Sequence, residues 1–157
     1  MNIRIASKND CSTIHFFIKQ LAIYEKLEHE MVATVNDLEQ TLFGDRPSAE
    51  VLLLEVDGRA VAFALFFQSY STFLARPGMY LEDLFVLTEE RGKGYGKKML
   101  SHLAKIAVER KYGRMEWSVL NWNELAINFY KNLGAKPMDE WTVYRVTGKE
   151  LIILAKN

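Results

Sequence analysis

Asp57-Gly58 sits between two apolar runs, "EVLLLEV" and "RAVAFALFFQSY". An Asp-Gly pair in that setting predicts a tight hairpin, because both central positions of such a turn favour positive φ. The middle of the chain is therefore committed to antiparallel sheet. What surrounds it follows from periodicity. Met1 to Ala6 alternates, with Ile3 and Ile5 on one face, and predicts a short strand. After the capping residues of "SKND", Ile14, Phe17, Ile18, Leu21 and Ala22 recur at helical spacing, so a helix is expected to about Tyr24. Thr34 and Asp37 have capping-box spacing ahead of "VNDLEQTLF", which Gly44 ends. "GDRPSA" and "FLARPG" are loops, and "MYLEDLFVL" is a strand.

Beyond this point strands and helices alternate. A helix from Tyr95 to Arg110 carries Met99, Leu103, Ile106 and Ala107 on one face. "MEWSVL" is a strand, "NELAINFYKNL" a helix closed by Gly134, and "WTVYRV" a strand. The tail "TGKELIILAKN" supports either state: Thr147 and Glu150 suit a helix cap, Ile152 and Ile153 a strand. The order implies one α/β (α+β mixed) domain over residues 1–157, a mixed sheet with helices on its faces.

Charge narrows the function classes. Lys+Arg and Asp+Glu each number 20, a net charge of zero, which argues against broad nucleic-acid binding and leaves room for a local charged patch. The single cysteine, Cys11, forms no intrachain disulfide and suits a reducing, cytoplasmic setting. Asn9 and Asp10 interrupt the N-terminus before any apolar run, so no signal peptide is expected. No stretch approaches the ~20 apolar residues of a membrane span.

The most informative segment is "YLEDLFVLTEERGKGYGKKML", Tyr80 to Leu100. Gly92, Gly94 and Gly96 lie between a strand and an amphipathic helix. Glycine there permits positive φ and close approach of a ligand to the backbone. With the helix N-terminus, the turn's N–H groups form an anion site. Arg91, Lys93, Lys97 and Lys98 place positive charge at a helix end that prefers negative charge, a conflict that a bound phosphate resolves. Neither the P-loop nor the dinucleotide glycine pattern fits this spacing. What remains is Arg-x-x-Gly-x-Gly after a strand, a pattern that also suits a plain strand–helix connection with a solvated basic rim.

The strand ahead of it carries two carboxylates. Period two puts Tyr80, Glu82, Leu84 and Val86 on one face and Leu81, Asp83, Phe85 and Leu87 on the other. Each carboxylate needs water, a cation or a ligand amine. A carboxylate at a strand end can attract a ligand ammonium and receive its proton. Downstream, Asn121 with Glu124 has capping-box spacing, and Asn123 could also cap the helix. Tyr130 lies seven residues beyond Asn123, two turns along the same face. A tyrosine so placed is either a core residue with its hydroxyl at the edge or a proton donor.

Three blocks, "YLEDLFV", "RGKGYG" and "WNELAINFYKNLGA", together with "IKQLAIYEKLE", resemble the GNAT superfamily of N-acetyltransferases, in particular its diamine (spermidine/spermine) and thialysine branch. The resemblance implies a central mixed, mostly antiparallel sheet flanked by helices, and acetyl transfer from acetyl-CoA to a primary amine by direct attack, with no metal. It implies that Tyr130 is the general acid and that Glu82 orients the amine and takes its proton. Leu84, Phe85 and Val86 would bind acetyl-CoA through their backbone. Arg91, Gly92, Lys93, Gly94, Tyr95 and Gly96 would hold its pyrophosphate, and Asn123 would touch its pantetheine side. Tyr24, Glu25, Glu82 and Asp83 would line the amine site, and a homodimer is expected. The chain departs from the branch at Leu125, where a proline is usual, at Asn121, where an acidic residue is usual, and in a shorter loop before Asp139 and Glu140. All three bear on the amine rather than on acetyl-CoA.

The expected substrate is a small diamine, polyamine or lysine-like amino acid. The alternatives are a protein N-terminus or lysine as acceptor, a non-catalytic acyl-CoA-binding module, and a nucleotide-binding protein. Retention of both Glu82 and Tyr130 argues against binding alone, and the failed P-loop pattern against the last.

Overall fold

The computed structural model describes residues 1–156. The chain forms two compact units, one of Met1–Ser118 and one from Val119 onward.

The first unit is built on a five-stranded sheet in the order β1 (Asn2–Ile5), β2 (Glu50–Val56), β3 (Arg59–Ser71), β4 (Arg76–Val86), β5 (Met115–Trp117). The first four strands pair antiparallel and β5 pairs parallel to β4, the mixed, mostly antiparallel sheet expected. Asp57 and Gly58 turn the β2–β3 hairpin with φ of 51° and 78°. Helix α1 (Cys11–Tyr24) and helix α2 (Val35–Phe43) cover one face. Ile14, Phe17, Leu38 and Leu42 pack there with Val51, Leu53, Phe63 and Phe85 in one buried cluster. Phe17 stacks on Phe63 at 5.3 Å between ring centroids. The α2 capping box forms as expected: Thr34 Oγ1 accepts from the Asp37 N–H at 3.2 Å, and the Thr34 N–H donates to the Asp37 carboxylate at 2.9 Å.

Helix α3 (Tyr95–Glu109) buries Met99, Leu100, Leu103 and Ala107. It belongs to the opposite face, since Arg110 at its C-terminus lies over the ring of Phe66, and Phe66 alternates with Phe63 and Leu65 along β3. Helices therefore flank both faces, which lets strands as apolar as β2 and β3 be buried on both sides.

Three expectations need correction. First, β4 begins at Arg76, inside the segment assigned to a loop. Pairing extends to Ser71↔Arg76, and those ladder bonds outweigh the turn preference of "RPG". Second, β5 stops at Trp117 rather than running through "MEWSVL". Third, "WTVYRV" forms no strand. A strand exists only through a partner, and the described residues of the second unit include no other strand for it to pair with. That unit holds α4 (Glu124–Asn132) and α5 (Gly148–Leu154), so the ambiguous tail is helical.

Candidate active site

The strand carrying the two carboxylates does not keep a period of two. Leu65 pairs with Asp83, and Phe66 with Leu81, so Glu82 is an extra residue on β4 with no partner on β3. This bulge exchanges the faces expected for Tyr80 and Leu81, while Asp83 and Phe85 stay on the face opposite to Leu84 and Val86, as alternation predicts. Tyr80, opposite Phe67, shares a face with Asp83 and Phe85, opposite Leu65 and Phe63. Met79, Leu81, Leu84 and Val86 share the other. The Phe67 and Tyr80 rings meet at 5.2 Å, which fits that assignment. Glu82 is exposed at the kink, whereas Asp83 turns toward the side covered by α1.

Beyond the bulge β4 has an open edge. Pairing with β5 covers only Met79, Tyr80 and Leu81. Asp83 through Val86 are paired to β3 on one side and have no strand partner on the other among the described residues. Backbone groups on that edge are available to a ligand.

The open edge leads into the glycine turn. Gly92 and Gly94 both have φ of +79°, a conformation costly for any other residue. A Cβ at either position would meet nothing within 4 Å, so the space in front of the turn is clear. Gly94 is the N-cap of α3 and offers no side-chain cap, and Gly96 lies inside the helix. The first-turn N–H groups of a helix lack intrahelical partners, and here nothing acidic occupies that turn. Lys97 and Lys98 are exposed beside it. Lys93 is committed elsewhere: its Nζ donates to Glu90 at 2.7 Å, and Glu90 also accepts from Arg59 at 2.6 Å. Nothing in the sequence pairs Arg59 with Glu90, because the contact depends on where the hairpin turn ends.

The end of α1 reaches the same region. Tyr24, the last residue of α1, sets its ring edge-on to Phe85 at 6.1 Å. Glu25 is the C-cap, and Lys26, with φ of 62°, turns the chain away. The Arg91 guanidinium lies 4.3 Å over the Tyr24 ring and 5.2 Å from the Phe85 ring, and its Nε donates to the Val86 carbonyl at 3.2 Å. Burial, with the charges of Glu82 and Glu25 adding to it, pushes the Asp83 carboxyl up to about 7. Burial alone raises the Glu25 carboxyl. Tyr24, Glu25, Glu82, Asp83, Leu84, Phe85, Val86 and the Arg91–Gly96 turn thus belong to one end of one sheet.

Asn123 and Tyr130 belong to the second unit. Asn123 is the N-cap of α4, its side-chain oxygen accepting from the Ala126 N–H at 3.2 Å. This makes Asn123, not Asn121, the capping asparagine. Tyr130 lies within α4, half-buried, its ring 5.4 Å from that of Phe129. Among the described residues no group of three or more His, Cys, Asp and Glu is placed to hold a metal ion, and no helix is long and apolar enough to cross a membrane.

This geometry has known counterparts. The model of the acetyltransferase (GNAT) family matches residues 20–135. The L-ornithine N5-acetyltransferase of Arabidopsis thaliana is 35% identical, over 98% of this chain and 87% of its own length. The thialysine N-epsilon-acetyltransferase of Mus musculus is 33% identical over 98% of this chain and 96% of its own. An integron cassette protein from the mobile metagenome of V. cholerae superposes with a TM-score of 0.83 at 28% identity, covering 99% of this chain and 98% of that one. The chain belongs to the acetyltransferase (GNAT) family, as an N-acetyltransferase resembling the diamine and thialysine branch.

Proposed function

We propose that this chain transfers an acetyl group from acetyl-CoA to a primary amine of a small molecule that carries a second cationic group: a diamine, a polyamine, or an amino acid of the ornithine or lysine type. The observation that carries the reading is the carboxylate cluster at the open edge of β4. Glu82 sits on the bulge, Asp83 is turned inward beside it, and the charge of Glu25 acts on Asp83 from the end of α1. Three carboxylates suit a substrate with two positive charges, because one ammonium satisfies one of them and leaves the others poorly compensated. The named relatives act on L-ornithine and on thialysine, which supports the same class.

The residues of the turn fit acetyl-CoA. Clear space before Gly92 and Gly94 admits a pyrophosphate against the backbone, and the first turn of α3 offers N–H groups to it. Bound acetyl-CoA supplies an activated acetyl thioester. The chain supplies the rest. In the Leu84–Val86 stretch, the backbone N–H groups that face the open edge, those of Leu84 and Val86, position the acetyl group and donate to its carbonyl oxygen as negative charge grows there. Glu82 draws in the ammonium and takes its proton, directly or through water. Asp83, with its proton affinity raised to about 7, is tuned to hold a proton near neutral pH. Tyr130 gives a proton to the departing sulfur. A phenol at about 10 and a thiol at about 8.5 make full transfer uphill by roughly 2 kcal/mol, so the donation acts while charge is developing. The homodimer of the branch extends to this chain as part of the proposal.

The test is release of free thiol from acetyl-CoA with putrescine, spermidine, ornithine, lysine and thialysine as acceptors. Turnover of at least one of them, with kcat lowered in Tyr130→Phe, supports the proposal. Tight acetyl-CoA binding without turnover of any would refute the small-amine reading and point to a protein acceptor or a binding module.

A further inference from the structure

Four basic residues flank the glycine turn, and one of them faces the wrong way for a phosphate. Lys97 and Lys98 are exposed, and Lys93 reaches back to Glu90. Arg91 is folded inward. Its Nε donates to the Val86 carbonyl at 3.2 Å, and its guanidinium lies over Tyr24 at 4.3 Å and Phe85 at 5.2 Å. Its backbone N–H is engaged too, with the Thr88 carbonyl at 3.3 Å. To reach a phosphate in front of Gly92 and Gly94, the side chain would have to give up the strand carbonyl and both rings.

We propose that the Arg91 side chain is a positioning group for the amine end of the site, tying the last turn of α1 to the end of β4, and that it is no phosphate ligand. The proposal rests on the amine-acetyltransferase reading above. Tyr24 is the final helical residue of α1, Glu25 follows as the cap, and the chain reverses at Lys26. The direction in which Glu25 points is therefore set by how Tyr24 is anchored. The Tyr24 ring is held against Phe85 of β4 and against Arg91, beside the end of that strand. Phe85 is two residues from Asp83 on the same face of β4. Arg91 thus holds the two carboxylates, one on the helix end and one on the strand, in a fixed relation.

The chemistry selects arginine. A planar guanidinium can lie on an aromatic face and donate in its own plane to a carbonyl at the same time. An ammonium keeps the charge but cannot do both. A phosphate contact, by contrast, tolerates lysine as a point charge. Arg91→Lys therefore separates the two roles.

The experiment compares wild type, Arg91→Lys and Arg91→Met with two acetyl donors, acetyl-CoA and S-acetylpantetheine, which lacks the pyrophosphate. The readout is kcat/KM for the best amine. The expected result is a loss of about tenfold or more in both variants, carried by the amine KM and of equal size with either donor. Tyr24→Leu should lose as much as Arg91→Met, and the double variant no more than either, since the two residues act as one unit. A loss confined to acetyl-CoA, or one that Arg91→Lys restores, overturns the proposal, as does no loss at all. Calorimetric binding of coenzyme A gives a readout free of the reaction. Its Kd should stay within about threefold of wild type in Arg91→Met, and a larger loss overturns the proposal. Absence of any amine turnover in the wild type would sink the functional reading, while the coenzyme A titration would still decide the role of Arg91.

Discussion

Asp83→Asn tests the electrostatics of the site on two independent axes. The carboxyl is raised from 3.8 to about 7 in the folded chain, by burial first and by Glu82 and Glu25 after it. Between those values the folded state binds more protons than the unfolded chain, so the carboxyl erodes stability as pH rises through that window and no further above it. A shift of about three units at about 1.36 kcal/mol each sets a ceiling of about 4 kcal/mol. Partial exposure and relaxation reduce this, and we expect about 2 kcal/mol. The asparagine carries no charge to desolvate. Urea unfolding should therefore find Asp83→Asn close to wild type near pH 4 and more stable by about 2 kcal/mol at pH 8, with the gap opening between the two. Activity should move the other way. The ascending limb of kcat/KM near pH 7 should vanish in the variant, with a loss of roughly a hundredfold at its plateau. A stability difference independent of pH, or a variant that keeps the wild-type limb, would refute the argument.

The remaining predictions use the same geometry. Gly94→Ala places a methyl group in the clear space before the turn at φ of +79°. It should cost about 1 kcal/mol of stability in a thermal melt and raise the acetyl-CoA KM by about tenfold or more, leaving the amine KM nearly unchanged. Tyr130→Phe should lower kcat by roughly a hundredfold or more in steady-state assays without weakening coenzyme A binding by calorimetry. Thr34→Ala removes the α2 cap and should cost about 1 kcal/mol in urea unfolding, with kcat/KM unchanged.

The sequence made much of this fold legible where a local rule and a tertiary contact agree. Asp57-Gly58 turns a hairpin, Thr34 and Asp37 form their box, and Gly92 and Gly94 take the positive φ that their position demands. Legibility fails where pairing decides. The bulge at Glu82 leaves no local signature, since "YLEDLFV" alternates well enough to be a plain strand. Yet the bulge brings Tyr80 onto the face of Asp83 and leaves Glu82 without a partner on β3. "WTVYRV" has strong strand propensity and no strand, because propensity without a partner forms none. Arg91 shows the same limit at one residue. Its place in the glycine pattern suggests phosphate, whereas its neighbours in space are two rings and a carbonyl.

The most direct measurement compares two acceptors of equal chain length, putrescine and butylamine, in thiol release from acetyl-CoA. They share a reactive amine and differ in the second charge. The carboxylates Glu25, Glu82 and Asp83 predict a kcat/KM at least about tenfold higher for the diamine, shrinking as salt is raised and in Asp83→Asn. Equal turnover of the two amines, insensitive to salt, would contradict an acidic amine site at the open edge of β4.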